Sequence, residues 1–129
     1  MTASRLKSFL NWYPPYAFGA AIRVETISDN FRYAKVSMRL TFYNRNYVGT
    51  HFGGSLYSMC DPMYMLLLLN VLGDDFIVWD KGSSINYVKP GMGKVSAEFH
   101  IEDELIDSLH AMKPEEKILI DLPVNVKDE

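Results

Sequence analysis

Three features in one short stretch have residue types and spacing suited to acyl chemistry. The stretch runs Asn44-Arg45-Asn46-Tyr47-Val48-Gly49-Thr50-His51-Phe52-Gly53-Gly54 and ends eight residues past Gly53 at Asp61. Glycines at a loop-to-helix junction let a ligand approach the backbone closely. The first N–H groups of a helix have no internal partner and sit at the positive end of its dipole. Such donors suit an oxyanion of the kind that develops on a thioester carbonyl under attack. A tight turn against a neighbouring strand would use the same two glycines. Asp61 falls two turns beyond Gly54, on the face shared with Tyr57 and Tyr64. A carboxylate there can serve as general base or as nucleophile. It can equally be structural, accepting hydrogen bonds from Tyr or Lys neighbours. Pro62 follows at once and should bend the helix just past the acid.

The elements that must hold these residues follow from the hydrophobic pattern. Ala20, Ile22 and Val24 alternate with Arg23 and Glu25, and Ala34, Val36, Met38, Leu40 and Phe42 with Tyr33, Lys35, Ser37, Arg39 and Thr41, so two strands paired as a hairpin are predicted. A helix from about Gly54 to Leu72 comes next, about 27 Å long. Its half from Met63 to Leu69 is apolar on every face, which demands burial on all sides. Phe76–Val88 reads as a long or bulged strand, and Val95–Ile101 as a clean one. Asp103–Lys113 reads as a helix ended by Pro114, and Ile118–Val126 as a last strand. Leu6, Phe9 and Leu10 place a short amphipathic helix over residues 5–12, before Tyr13-Pro14-Pro15. It packs on the body or acts as a lid over an apolar ligand. The class is α+β: an antiparallel sheet curled around one apolar helix. One sheet cannot enclose that helix, so a homodimer is expected.

Composition narrows the function. With 129 residues, 48% hydrophobic and 22% charged, the chain is one globular domain, 1–129, with residues 1–19 as a helical and Pro-rich lead-in. Net charge is −3 and no basic stripe is visible, which argues against nucleic acid. Met63–Leu69 is too short an apolar run to span a membrane, and no signal-peptide core follows Arg5 and Lys7. No membrane partner and a cytoplasmic location are therefore expected. Cys60 is the single cysteine, which fits a reducing compartment, and reads as a core residue. His51, His100 and His110 do not cluster as metal ligands, and no cofactor motif occurs, so neither metal nor cofactor is expected.

Asn46, Gly49, Thr50, His51, Gly53, Gly54 and Asp61 together resemble the signature of hot-dog-fold acyl-CoA thioesterases of the phenylacetate-pathway type. Ser84-Ile85-Asn86-Tyr87-Val88-Lys89-Pro90-Gly91 is similar to the same family's third strand and turn. The resemblance spans roughly residues 20–126. It implies a central helix wrapped by a curved sheet, assembled as dimers and often as dimers of dimers. It further implies hydrolysis of an acyl-CoA, with Asp61 as the catalytic carboxylate and the N–H of Gly53, with Gly54, as oxyanion donor. Asn46 then orients the reacting group, and Asp80 matches a position where some members place a water-positioning residue from the partner subunit. Thr50, His51, Phe52, Tyr57, Tyr64, Lys81, Ser83 and Lys89 are the expected substrate-binding residues. Arg45, Lys89 and Lys94 are candidates for the CoA phosphates. Phe52 stands where the signature has His, with His51 one residue early, as in a branch carrying Phe-Gly-Gly. That exchange makes a non-catalytic acyl-CoA- or lipid-binding protein the alternative reading. A dehydratase would need a catalytic His, for which His51 is the candidate. The resemblance also implies a further strand after residue 126, which this chain is expected to lack.

Overall fold

The computed structural model describes all 129 residues. Helix α1 (Ala3–Trp12) leads into a π-helical turn at Pro14–Phe18. Strands β1 (Ile22–Ile27) and β2 (Tyr33–Met38) follow, then helices α2 (Gly53–Cys60) and α3 (Met63–Leu72). Strand β3 (Val95–His100), helix α4 (Asp103–His110) and the short strand β4 (Val126–Asp128) complete the order. The four strands form one antiparallel sheet in the order β1-β2-β3-β4.

Alternation builds this sheet around the helix. Val24, Ala34, Val36, Val95, Ala97 and Phe99 are inward residues of β1 to β3 and are buried. Met59, Met63 and Leu67 are fully buried in the same core, on α2 and α3. Gly53–Asp75 is long and apolar enough to cross a membrane by length and composition, as the core helix of a soluble protein also is. The wrapped-helix arrangement expected from the sequence is present.

Pro62 divides the long helix in two. It has no N–H to give the Ser58 carbonyl, so α2 ends at Cys60 and α3 starts at Met63. The Tyr16 hydroxyl donates to the Met59 carbonyl at 2.8 Å and satisfies one group the break leaves over. Burial pushes the Tyr16 phenol well above its ordinary pKa, so it stays a neutral donor.

The edge of β1 is blocked by its own chain. The Asn11 side chain donates to the Val24 carbonyl at 3.1 Å and accepts the Val24 N–H at 2.8 Å. Beside it the β1–β2 register slips between Val24 and Thr26, leaving Glu25 as a bulge. Glu25 takes ion pairs from Lys94 at 2.8 Å and Lys35 at 3.6 Å. The Lys94 contact leads in holding its carboxyl down to about 2 from an ordinary 4.5. A carboxyl held down stabilises the fold above pH 4.5 and loses that contribution as pH falls towards 2. Because the site is largely solvated, Glu25→Gln is expected to cost only about 1 kcal/mol at pH 7. Denaturant melts of the two proteins should converge as pH falls from 4.5 to 3.

Three expectations are corrected. The second strand stops at Met38, because Arg39 to Asn44 turn away to form a loop. Phe76–Val88 carries no ladder, and Ile77, Trp79 and Val88 are exposed. Its strand-like composition has no partner strand within one chain. Residues 118–125 are likewise unpaired, and ladder bonding begins only at Val126, although Ile120, Leu122 and Val124 pack on the core.

Candidate active site

Asn44 sets the loop that delivers Gly53. Its side chain is buried, donating to the carbonyls of Ala20 at 3.0 Å and Arg39 at 2.7 Å and accepting the Thr41 N–H at 2.7 Å. Its own carbonyl accepts the N–H of Phe52, the residue that caps α2. Asn46 winds the next turn. Its Oδ1 accepts from the N–H groups of Val48 and Thr50, and its Nδ2 donates to Thr50 Oγ1 at 2.8 Å and to the His51 carbonyl at 3.4 Å. That side chain is spent within its own loop, so it shapes the site rather than reaching into it. Gly49 completes the turn at φ 89°, a conformation that favours glycine.

His51 clamps this loop to the turn before β3. Its N–H donates to the Gly91 carbonyl at 3.0 Å, and Nε2 lies 2.6 Å from the Gly93 carbonyl. A carbonyl only accepts, so Nε2 carries the proton, leaving the buried Nδ1 without a partner.

At the start of α2, the N–H groups of Ser55 and Leu56 both bond to the Phe52 carbonyl. Those of Gly53 and Gly54 have no partner. Gly53 lines a cavity of about 450 Å³ with Asn46, Thr50, His51, Tyr87 and Lys89, among others. Tyr87 was not singled out from the sequence. Its ring lies over Gly53, where a Cβ would fall 2.8 Å from the phenol oxygen. Phe52 covers Gly54 in the same way, with a ring carbon 2.7 Å from the Cβ position. Gly53→Ala must therefore displace Tyr87. Tyr87 is substantially exposed and can swing, so a stability loss below about 1 kcal/mol is expected. Tyr87→Ala in the same chain should restore the melting temperature.

Asp61 opens elsewhere. It is exposed at the α2–α3 break. It lines a cavity of about 320 Å³ with Tyr13, Pro15, Tyr16, Ser58 and Pro62. Asp80 lies within electrostatic reach of Asp61 in the same chain. Partial desolvation and then the charge of Asp61 raise its pKa.

Other expected site residues have other partners. Tyr57 and Ser83 bond to each other through their hydroxyls. Tyr64 donates to the Pro123 carbonyl at 2.8 Å and packs edge-on against Phe99. Lys81 is exposed and forms no ion pair. Lys89 pairs with Asp128 at 3.2 Å and Lys94 with Glu25, while Arg45 is exposed and unpaired. Burial raises the Cys60 thiol to about 11, which leaves no thiolate nucleophile at neutral pH. No three His, Cys, Asp or Glu side chains converge to hold a metal ion.

The family model for the domain of unknown function DUF4442 matches residues 2–129. The chain belongs to the DUF4442 family. No curated protein matches the sequence. This DUF4442 chain is similar in structure to a Chlorobaculum tepidum protein of unknown function, with a TM-score of 0.73 and 21% identity over 98% of this chain and 79% of the other. It is also similar to a Pseudomonas aeruginosa protein named a probable thioesterase, with a TM-score of 0.66 and 15% identity over 85% and 72% of the two chains. The E. coli PaaI protein of the phenylacetic acid degradation operon gives 0.56 and 17% over 74% and 67%. These likenesses establish the fold: the DUF4442 chain has the hot-dog fold.

Proposed function

We propose that the protein hydrolyses the thioester of an acyl-CoA to the free acid and CoA, as a homodimer whose sites are shared between subunits. The observation that carries this reading is the placement of functional groups at the two ends of α2. Free N–H groups stand at Gly53 and Gly54, and a carboxylate stands at Asp61. Eight residues at 1.5 Å rise separate them by about 12 Å. That is too far for both to serve one carbonyl, and Gly53 and Asp61 line different cavities. A two-fold axis across α2 reverses the second copy's helix, setting Asp61 of one subunit opposite the Gly53–Gly54 donors of the other, twice per dimer. The unladdered segment 76–90, with Ile77, Trp79, Tyr87 and Val88 exposed, supplies apolar surface for such a contact. Pairing of dimers into a tetramer is compatible with the same design.

In the reaction, Asp61 takes a proton from water as the water oxygen attacks the thioester carbon. The donors of the other copy hold the developing oxyanion, and the C–S bond then breaks to release CoA as its thiol. Asp80, beside Asp61, helps to hold the water. Direct attack by Asp61, with hydrolysis of the resulting anhydride, gives the same products. A binding protein without turnover is the second reading, favoured by the Phe52 ring crowding Gly54. A panel of acyl-CoAs of varied chain length and aromatic character separates the two. Thiol release supports hydrolysis, whereas a raised melting temperature without thiol release supports binding alone.

A further inference from the structure

The Asp61 cavity is built from two distant parts of the chain. Ser58, Asp61 and Pro62 come from the α2–α3 break, whereas Tyr13, Pro15 and Tyr16 come from the N-terminal turn. That turn is a fixed wall. The N–H groups of Tyr16 and Ala17 donate to the Tyr13 carbonyl, and that of Gly19 donates to the Pro14 carbonyl at 2.8 Å. The buried Tyr16 hydroxyl ties the turn to the Met59 carbonyl, two residues before Asp61. Phe9 stacks on the Tyr13 ring with centroids 5.7 Å apart. The carboxylate thus faces a wall of two tyrosines and a proline, held in place before any ligand arrives.

Room and charge decide which part of a thioester suits this cavity. Its volume of about 320 Å³ far exceeds that of the one water hydrolysis consumes, whose share of liquid volume is about 30 Å³. No Lys, Arg or His lines it, and Asp80 is a second acid within electrostatic reach of Asp61. CoA is a polyanion through its phosphates, which two carboxylates repel. The Gly53 cavity has the opposite lining: Lys89 contributes to it, and no Asp or Glu does. Lys89 is paired with Asp128, yet its side chain stays largely exposed.

We propose that the acyl group of the substrate, and not CoA, occupies the Asp61 cavity against Tyr13 and Pro15, so that the N-terminal turn sets acyl length. The proposal rests on the reading of the protein as an acyl-CoA thioesterase with shared sites. The thioester carbon then lies between Asp61 of one subunit and the oxyanion donors of the other, with CoA extending towards the partner's Lys89. At about 30 Å³ for each methylene-sized group, acyl chains of up to about ten carbons fit. Longer ones must displace the Tyr13 ring or stay in water.

Thioether analogues of CoA, whose S-alkyl chain has no carbonyl to hydrolyse, report the placement independently of turnover. In calorimetric titrations of the intact protein, affinity is expected to rise from S-methyl- to S-octyl-CoA, by up to about fourfold per methylene buried. It should rise little further to S-tetradecyl-CoA, and Tyr13→Ala should restore that further rise. Ser58 is exposed, and its hydroxyl bonds only to the Gly54 carbonyl, so Ser58→Trp can fill the cavity without disturbing the core. This variant is expected to erase the gain from S-methyl to S-octyl while leaving S-methyl-CoA affinity and the melting curve unchanged. Ser58→Ala, which leaves the room open, should keep the gain. A gain that survives Ser58→Trp overturns the proposal. So does equal weakening of S-methyl- and S-octyl-CoA, which would assign the cavity to CoA itself, and so does binding of no analogue. Acyl-CoAs that release no thiol while these affinities hold would remove hydrolysis and leave the acyl site standing.

Discussion

Asp61→Asn is expected to lower acyl-CoA thiol release by about 10²- to 10⁴-fold, the contribution of a positioned general base. The amide keeps the shape of the side chain and cannot take the proton from water. Asp61 is exposed, and its carboxylate makes no hydrogen bond or ion pair within the chain. Stability should therefore stay within about 0.5 kcal/mol of wild type. The loss should appear in kcat rather than in substrate affinity, because the base acts in the transition state. Single-turnover rates and a thermal melt on the same preparation separate the chemical effect from unfolding. Full turnover in the variant would remove Asp61 from the chemistry.

The largest stability effect is expected from Asn44→Ala. Truncation strands the carbonyls of Ala20 and Arg39 and the N–H of Thr41, all of which the Asn44 side chain satisfies. An unsatisfied buried polar group costs about 1 to 3 kcal/mol; the bond to Ala20 is buried and those to Arg39 and Thr41 are partly so, and a loss of about 2 to 3 kcal/mol is expected. Asn44→Asp should fare no better, because a carboxylate cannot donate to two carbonyls and brings a charge into a buried site. Activity should fall with stability, since the Asn44 backbone also holds the Phe52 N–H at the start of α2. Denaturant titration measures the first effect. An unchanged midpoint would show that the loop is held by other contacts.

The sequence made the helix-in-sheet architecture legible where one face of an element is buried. Ile22–Ile27, Tyr33–Met38 and Val95–His100 alternate because one side of each meets the core. Pro62 announced the helix break through its missing N–H. Phe76–Val88 has the composition of a strand, yet pattern reports only that a surface is to be covered, not which chain covers it. Asn44 was illegible as an anchor because a polar residue in a turn-rich loop reads as solvated. Its role depends on Ala20, 24 residues away. Tyr16 joins Met59 across 43 residues by a bond no local pattern encodes. Asp61 and the Gly53–Gly54 pair were legible as residues suited to acyl chemistry, but their separation into two cavities appears only in the fold.

Subunit complementation tests that separation most directly. Asp61→Asn and Gly53→Val, each expected to be inactive alone, are unfolded together, refolded as an equal mixture and assayed for thiol release. With shared sites and random pairing, half of the dimers are hybrids, and each hybrid has one intact site. The mixture should then recover about a quarter of wild-type activity. A mixture no more active than its two parents would contradict a site built from both subunits.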